Sequence, residues 1–215
     1  MKIKYLGHAS FMITSDTGTK LITDPFTAGG EFSYGEIKES ADIVTVSHDH
    51  FDHNNVATVR GNPKVVKGAV KVEIKGIAIK GIPSYHDEAG GKKRGENTIF
   101  CFEVDGIKVC HLGDLGHMLS DKQVAEIGTI DILLVPVGGH YTIDGKIATK
   151  VCDQLKPKVI MPMHWNNKWS FYEIASVDEF LQGKRNVSRL DTSEVEFKQG
   201  KLPESTQIIV LKSAL

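Results

Sequence analysis

The chain has 215 residues, 40% of them hydrophobic and 25% charged, with a net charge of -1. That is enough chain and enough apolar matter for one large folded domain spanning 1–215, and it excludes a disordered or low-complexity protein. The balanced charge disfavours a nucleic-acid partner. Residues 1–5 enter a strand pattern with no apolar leader and no run reaches bilayer length, so a cytoplasmic protein without a membrane partner is expected.

Residues 2–6 and 11–14 read as strands separated by Gly7-His8-Ala9-Ser10. Asp16-Thr17-Gly18 turns the chain into a strand over 20–23, which Asp24-Pro25 ends. Residues 27–40 show little periodicity and are expected to form a loop bordering a pocket. The β-branched run 42–46, Asp-Ile-Val-Thr-Val, is expected to be a buried strand. A short helix over 56–59 ends at Gly61-Asn62-Pro63. Short strands follow at 64–67 and 72–75, and after Gly76 another runs over 77–82 until Pro83 ends it. Residues 87–97 are polar and glycine-rich, and a mobile, exposed loop is expected.

Asp105-Gly106 is a two-residue hairpin turn between strands 98–104 and 107–112. Counting outward, Cys101 faces Cys110 at a non-hydrogen-bonded position, where side chains lie closest. A cross-strand disulfide is sterically allowed there. With three cysteines and an intracellular setting, reduced and inert thiols are expected instead. Residues 119–127 read as a helix with Ser120 as N-cap and Gly128 near its end. A strand over 130–137, a helix over 147–155 stopped by Lys156-Pro157, and a strand over 158–161 follow. The chain closes with a helix over 177–182 and a strand over 207–211. Early hairpins and later strand–helix alternation point to two sheets covered by helices.

The stretch Ser47-His48-Asp49-His50-Phe51-Asp52-His53 follows the 42–46 strand directly. His48 and His50, two apart on extended chain, send their rings to one side. Asp52 and His53 come where the chain turns and can point at a second spot beside the first. Three imidazoles and a carboxylate within six residues are costly to hold together without a cation among them, and zinc-type divalent ions are the usual partner. A metal-free, His-rich surface loop is the alternative reading, and the spacing behind a buried strand argues against it.

His-x-His-x-Asp-His at a strand end resembles the signature of the metallo-β-lactamase superfamily of dinuclear metallohydrolases. Later segments match that family's further motifs in order: Ile82-Pro83-Ser84-Tyr85-His86, His111-Leu112-Gly113-Asp114, and the 158–163 run leading into His164. Gly-His-Ala-Ser-Phe around His8, Asp24-Pro25-Phe26, the Gly-Gly-His-Tyr segment at His140 and Pro162-Met163-His164-Trp165 resemble the short bacterial and archaeal metal-dependent hydrolases that include ascorbate-6-phosphate lactonase-like proteins. The resemblance spans nearly the whole chain. It implies an α/β (α+β) chain folded as a four-layer αββα sandwich, with the site along one edge between the sheets. It also implies a first metal held by His48, His50 and His86, a second held by Asp52, His53 and His164, and Asp114 bridging both.

Two such cations, zinc or else manganese or iron, share a water whose pKa falls to roughly 7. The expected reaction is hydrolysis of a small ester, lactone or phosphodiester, with an anionic group among the options, by a metal-bridging hydroxide. Asp52 would hold that hydroxide and carry its proton, and His140 would donate to the developing oxyanion. Asp24 and His8 are expected behind the ligands, Asp24 as the acceptor that fixes a ligand imidazole. His111 shares the parity of Ile107 and Val109 and is expected to point inward and be satisfied structurally, while His117 is expected at the surface. Lys92, Lys93 and Arg94 either meet an anionic substrate or form a solvated charge run. The alternatives are an RNA or lipid phosphodiesterase and a non-hydrolytic metal-binding or redox module. Against them, the chain shows neither an inserted basic arm nor a flavin-binding domain. Substrate, native metal and oligomeric state are not legible in the sequence.

Overall fold

The computed structural model describes residues 1–29, 34–166 and 174–215. In chain order the strands and helices are β1 (Lys2–Gly7), β2 (Ser10–Thr14), β3 (Lys20–Thr23), β4 (Ile43–Val46), β5 (Lys64–Lys67), β6 (Lys71–Ile74), β7 (Ile77–Tyr85), β8 (Glu96–Val104) and β9 (Ile107–His111). They continue with α1 (Asp121–Ile127), β10 (Ile132–Pro136), α2 (Gly145–Leu155), β11 (Val159–Met163), α3 (Val177–Leu181), β12 (Val187–Arg189), β13 (Glu194–Glu196) and β14 (Gln207–Val210). A six-stranded sheet runs β13-β1-β2-β3-β4-β5, and an eight-stranded sheet runs β12-β14-β11-β10-β9-β8-β7-β6.

The inner faces of the two sheets share one core, which includes Ile3, Phe11, Leu21 and Ile43 from the first sheet and Phe100, Phe102, Leu134 and Met161 from the second. Burying side chains of this size stabilises the fold by about 1.5–3 kcal/mol each. A second cluster joins the outer face of the eight-stranded sheet to the helices. α2 turns Ala148, Val151, Cys152 and Leu155 inward at helical spacing. Its start is fixed by Asp144, whose carboxylate accepts from the Ile147 backbone N–H at 2.8 Å. α1 begins on Ser120 with a reciprocal capping box to Gln123. The outer face of the six-stranded sheet is covered more thinly. There Tyr34, Ile37, Ala41 and Val59 pack on Ile22, Val44 and Val46. The helix expected over 56–59 is a single 3₁₀ turn, Val56–Thr58. Among the described residues, no helix is long and apolar enough to cross a membrane.

The hairpin register sets Cys101 opposite Cys110, as the Asp105-Gly106 turn dictates, and both thiols are free. Pro83 does not end its strand: β7 continues to Tyr85 and pairs Pro83 with Thr98 on β8. β6 pairs only with residues Ile77 to Lys80 of β7, so beyond them one edge is open and the missing proline N–H costs no ladder bond. β12 and β13, three residues each, were not foreseen. Their sequences, Val-Ser-Arg and Glu-Val-Glu, are too short to show a period. Among the described residues of 27–40, none lines the cavity described below; Tyr34 and Ile37 are core instead.

Candidate metal centre

The polar residues of interest all lie just beyond strand ends on one edge of the sandwich. The β4 end carries the His48–His53 segment and the β3 end carries Asp24. Across from them, β7 delivers His86, β9 delivers Asp114 and β11 delivers His164. His140 follows β10, and His8 sits in the β1–β2 turn. Most of these strands are parallel neighbours, whose carboxyl ends are where loops can build a site. Backbone strain gathers here. His8, Asp24, Tyr141 and His164 are four of the nine non-glycine residues with positive φ among those described. Gly113 has φ +55, and a side chain there would collide with Asn97 and Ser47, so only glycine lets the chain turn Asp114 inward.

Asp114 is the centre of the cluster. Its Oδ2 lies 3.2 Å from His86 Nε2, 3.3 Å from His53 Nε2, 3.5 Å from His164 Nε2 and 4.0 Å from His48 Nε2. Donor atoms of His48, His50 and His86 lie within 4.8 Å of one another, and so do those of His8, His53 and His164. Asp52 reaches the second group, with Oδ2 3.6 Å from His53 Nε2 and 3.2 Å from His8 Nε2. β4 stops at Val46, so His48 and His50 stand on bends and not on extended chain, yet their ring centroids are still 4.5 Å apart.

Three of the imidazoles, those of His48, His53 and His86, are fixed from behind through Nδ1. Asp24, fully buried, accepts the Ser47 N–H at 2.7 Å, the Ser47 hydroxyl at 2.5 Å and His53 Nδ1–H at 2.9 Å. Because the Ser47 hydroxyl proton goes to Asp24, its oxygen accepts from His48 Nδ1–H, 2.9 Å away. His86 Nδ1–H donates to the Tyr141 carbonyl at 2.9 Å. Asp24 therefore accepts from the His53 imidazole directly and reaches the His48 imidazole through the Ser47 hydroxyl. His111 points inward but away from the cluster. Its Nε2–H donates to the Ala9 carbonyl at 2.8 Å, and its Nδ1 accepts from the Gly113 N–H. His117 Nδ1 bonds the Met118 carbonyl and its Nε2 accepts the Tyr85 N–H, at the surface.

These hydrogen bonds leave the Nε2 lone pairs of His48, His53 and His86 facing a carboxylate, which is repulsive unless positive charge lies between them. Among the described residues no lysine or arginine pairs with Asp24, Asp52 or Asp114; their ion-pair partners are histidines. Burial works against the Asp114 charge, but the imidazoles of His164 and His53 hold its pKa well below the ordinary range. Burial also opposes a charge on His53, yet Asp114 and Asp52 push its pKa well above the usual value. Burial, aided by His53, lowers His48 to about 3, and burial aided by His164 lowers His8 to about 4. His48 Nε2, His164 Nδ1 and Asp114 Oδ1 are buried without a hydrogen-bond partner. Carboxylates held in their ionised form converge on imidazole nitrogens, among them the partnerless His48 Nε2 and the His53 ring that Asp114 and Asp52 draw toward positive charge, so the residues present fit divalent cations.

The cluster opens into a cavity of about 370 Å³. His50, Asp52, His86, Asp114 and His164 form its floor, and Phe51, Arg94, His140 and Tyr141 stand around it. Sequence reasoning left Arg94 within a charge run; the structure separates the three cations. Lys93 pairs with Glu88, Lys92 is exposed, and Arg94 lies over the Tyr141 ring. The cause is Asp87, which was missed. Its buried carboxylate accepts backbone N–H groups from Ala89, Gly91, Lys93 and Arg94 at 2.7–3.0 Å, folding 87–95 into a hydrogen-bonded turn. An Asp followed by two glycines was the one available signal.

Residues 2–164 match the family model of the β-lactamase superfamily domain. A UPF0173 metal-dependent hydrolase of Carboxydothermus hydrogenoformans is 34% identical, over 84% of this chain and 90% of that protein. Another, from Archaeoglobus fulgidus, is 31% identical over 93% and 97%. A Thermotoga maritima crystal structure, described as a candidate Zn-dependent hydrolase of the metallo-β-lactamase superfamily, is 40% identical. It superposes with a TM-score of 0.81, covering 98% of this chain and 97% of that one. The fold, the donor cluster and these relatives define a metal-dependent hydrolase. The chain belongs to the metallo-β-lactamase superfamily, whose sandwich its two sheets form.

Proposed function

We propose that the protein is a dinuclear hydrolase of a small anionic ester, lactone or phosphodiester, with residues 1–215 working as one catalytic unit. The observation that carries this reading is the convergence of four imidazole nitrogens on Asp114 Oδ2, at 3.2–4.0 Å, on the floor of a cavity. His48, His50 and His86 would hold one cation, Asp52, His53 and His164 the other, and Asp114 both. Zinc suits this nitrogen and oxygen donor set best, with manganese or iron as substitutes. Bound there, the pair supplies a water acidified to a pKa of roughly 7 and polarises the substrate oxygen.

The chain's own groups do the rest. Asp52, part of the cavity floor, accepts the proton of the attacking water and passes it toward the leaving group. His140 also lines the cavity, its ring 3.8 Å from that of Tyr141, and donates to the charge that develops on the substrate. Asp24 keeps His53 and His48 in the tautomer that presents Nε2. Arg94 gives the substrate's anionic group a partner, and Phe51 and Tyr141, both about half exposed, cover its apolar part. A cavity of about 370 Å³ is of small-metabolite size, which favours this reading over a polymer substrate.

The test is to measure metal per chain by elemental analysis, then hydrolysis of p-nitrophenyl esters, lactones and bis(p-nitrophenyl) phosphate. Each assay is run as purified, after chelation, and after reloading with zinc, manganese or iron. Activity that is lost and regained with metal is expected. A chain that takes up no metal under any loading condition overturns the reading.

A further inference from the structure

The β1–β2 turn places a further histidine beside the cluster, far in sequence from the His48–His53 stretch and from His164. His8 is 2% exposed, on a backbone with φ +52. Two hydrogen bonds pin its carbonyl, from the Tyr5 hydroxyl at 3.0 Å and from the His164 N–H at 2.9 Å. The second ties His8 directly to a residue of the cluster, which itself has φ +50. The ring then stands 4.3 Å from His164 and 5.0 Å from His53, centroid to centroid. Its Nε2 is 3.2 Å from Asp52 Oδ2. A histidine that served only to steady Asp52 would need that one contact. His8 also brings a donor atom within 4.8 Å of donors on both His53 and His164.

We propose that His8 is a direct ligand at the second metal position, a reading that rests on the dinuclear function above. The second position then draws on His8, Asp52, His53 and His164 with a share of Asp114. The first draws on His48, His50 and His86 with the other share. The two positions are therefore unequal. The first has the donor count of a tetrahedral zinc site. The second has one more donor and one more negative charge, which suits a cation that accepts five or six ligands, such as manganese, ferrous iron or cobalt.

The probe is Co²⁺, added to metal-free wild type, His8→Gln and His8→Ala, with bound metal counted by elemental analysis and the visible ligand-field bands recorded. Circular dichroism establishes that the variants fold. Gln keeps a hydrogen bond to Asp52, so it separates ligation from support. Wild type is expected to take two Co²⁺. Both variants should take the first normally and bind the second at least about tenfold more weakly. The bands of that second Co²⁺ should gain intensity as its coordination number falls. In wild type, the paramagnetic proton spectrum should show six shifted imidazole rings: His8, His48, His50, His53, His86 and His164. Wild-type affinity and an unchanged spectrum in His8→Gln, or five shifted rings in wild type, overturn the assignment while leaving a dinuclear enzyme. A wild type that binds no Co²⁺ overturns both.

Discussion

The guanidinium carbon of Arg94 lies 3.0 Å from the centroid of the Tyr141 ring. Two segments far apart in sequence thereby meet across the mouth of the cavity, one ordered by Asp87 and the other following β10. The ring holds the cation at the rim without neutralising it. Arg94→Gln should raise KM for a phosphate or carboxylate ester by about 10–100-fold, the worth of a charged hydrogen bond, and leave a neutral ester nearly unchanged. Equal losses on charged and neutral substrates would assign Arg94 a structural role.

Asp24 accepts three hydrogen bonds, and an amide in its place offers one acceptor oxygen. Asp24→Asn should therefore release His53 or the Ser47–His48 pair. Metal affinity is expected to fall about 10–100-fold, read by competition with a chromogenic chelator. Unaltered affinity would mean the histidines are oriented by packing alone.

Metal should also govern stability, because the proposed donors come from both sheets: the His48–His53 segment from the first, His86, Asp114 and His164 from the second. A cation present at 1,000 times its Kd stabilises by about 4 kcal/mol. Chelation should lower Tm by roughly 10 °C for a chain of this size. Hydrogen exchange should quicken at the ends of β4 and β11. A melting curve indifferent to chelator would dissociate the cluster from metal.

Lys4 Nζ stands 2.8 Å from Glu39 Oε1, tying β1 to the segment before β4. Burial opposes the Glu39 charge, but Lys4 outweighs it, and the carboxyl titrates below its ordinary 4.5. A depressed carboxyl pKa adds stability at pH values above the ordinary one, and that stability is lost as pH falls through the folded value. Glu39→Gln should thus cost about 0.5–1 kcal/mol at pH 7 and converge with wild type once the pH has fallen through the lowered folded-state value. A gap that persists below that value would exclude the ion pair as its source.

Local rules made much of this molecule readable. The Asp105-Gly106 turn sets the register that faces Cys101 with Cys110, and Ser120 caps α1, because both depend on neighbours in sequence. His48 to His53 were legible for the same reason: their spacing carries the chemistry. What escaped depends on distant partners. Pro83 stays in its strand because β6 is too short to reach it. The Asp87 carboxylate orders a loop through backbone groups, which leave no mark in composition. His8 meets Asp52 across 44 positions. Only the folded six-stranded sheet brings them together.

The turn built on Asp87 has one more implication. Four backbone amides converge on a single carboxylate, so the identities of residues 88–93 are largely free so long as Asp87 stays and the glycines keep their conformations. The rim carrying Arg94 is in that sense an exchangeable cassette beside the histidine and carboxylate cluster. A library randomised at 88, 89, 92 and 93 should yield proteins that fold and load metal as the parent does while differing in what they cleave. Such a scaffold can change its diet by rewriting a handful of codons.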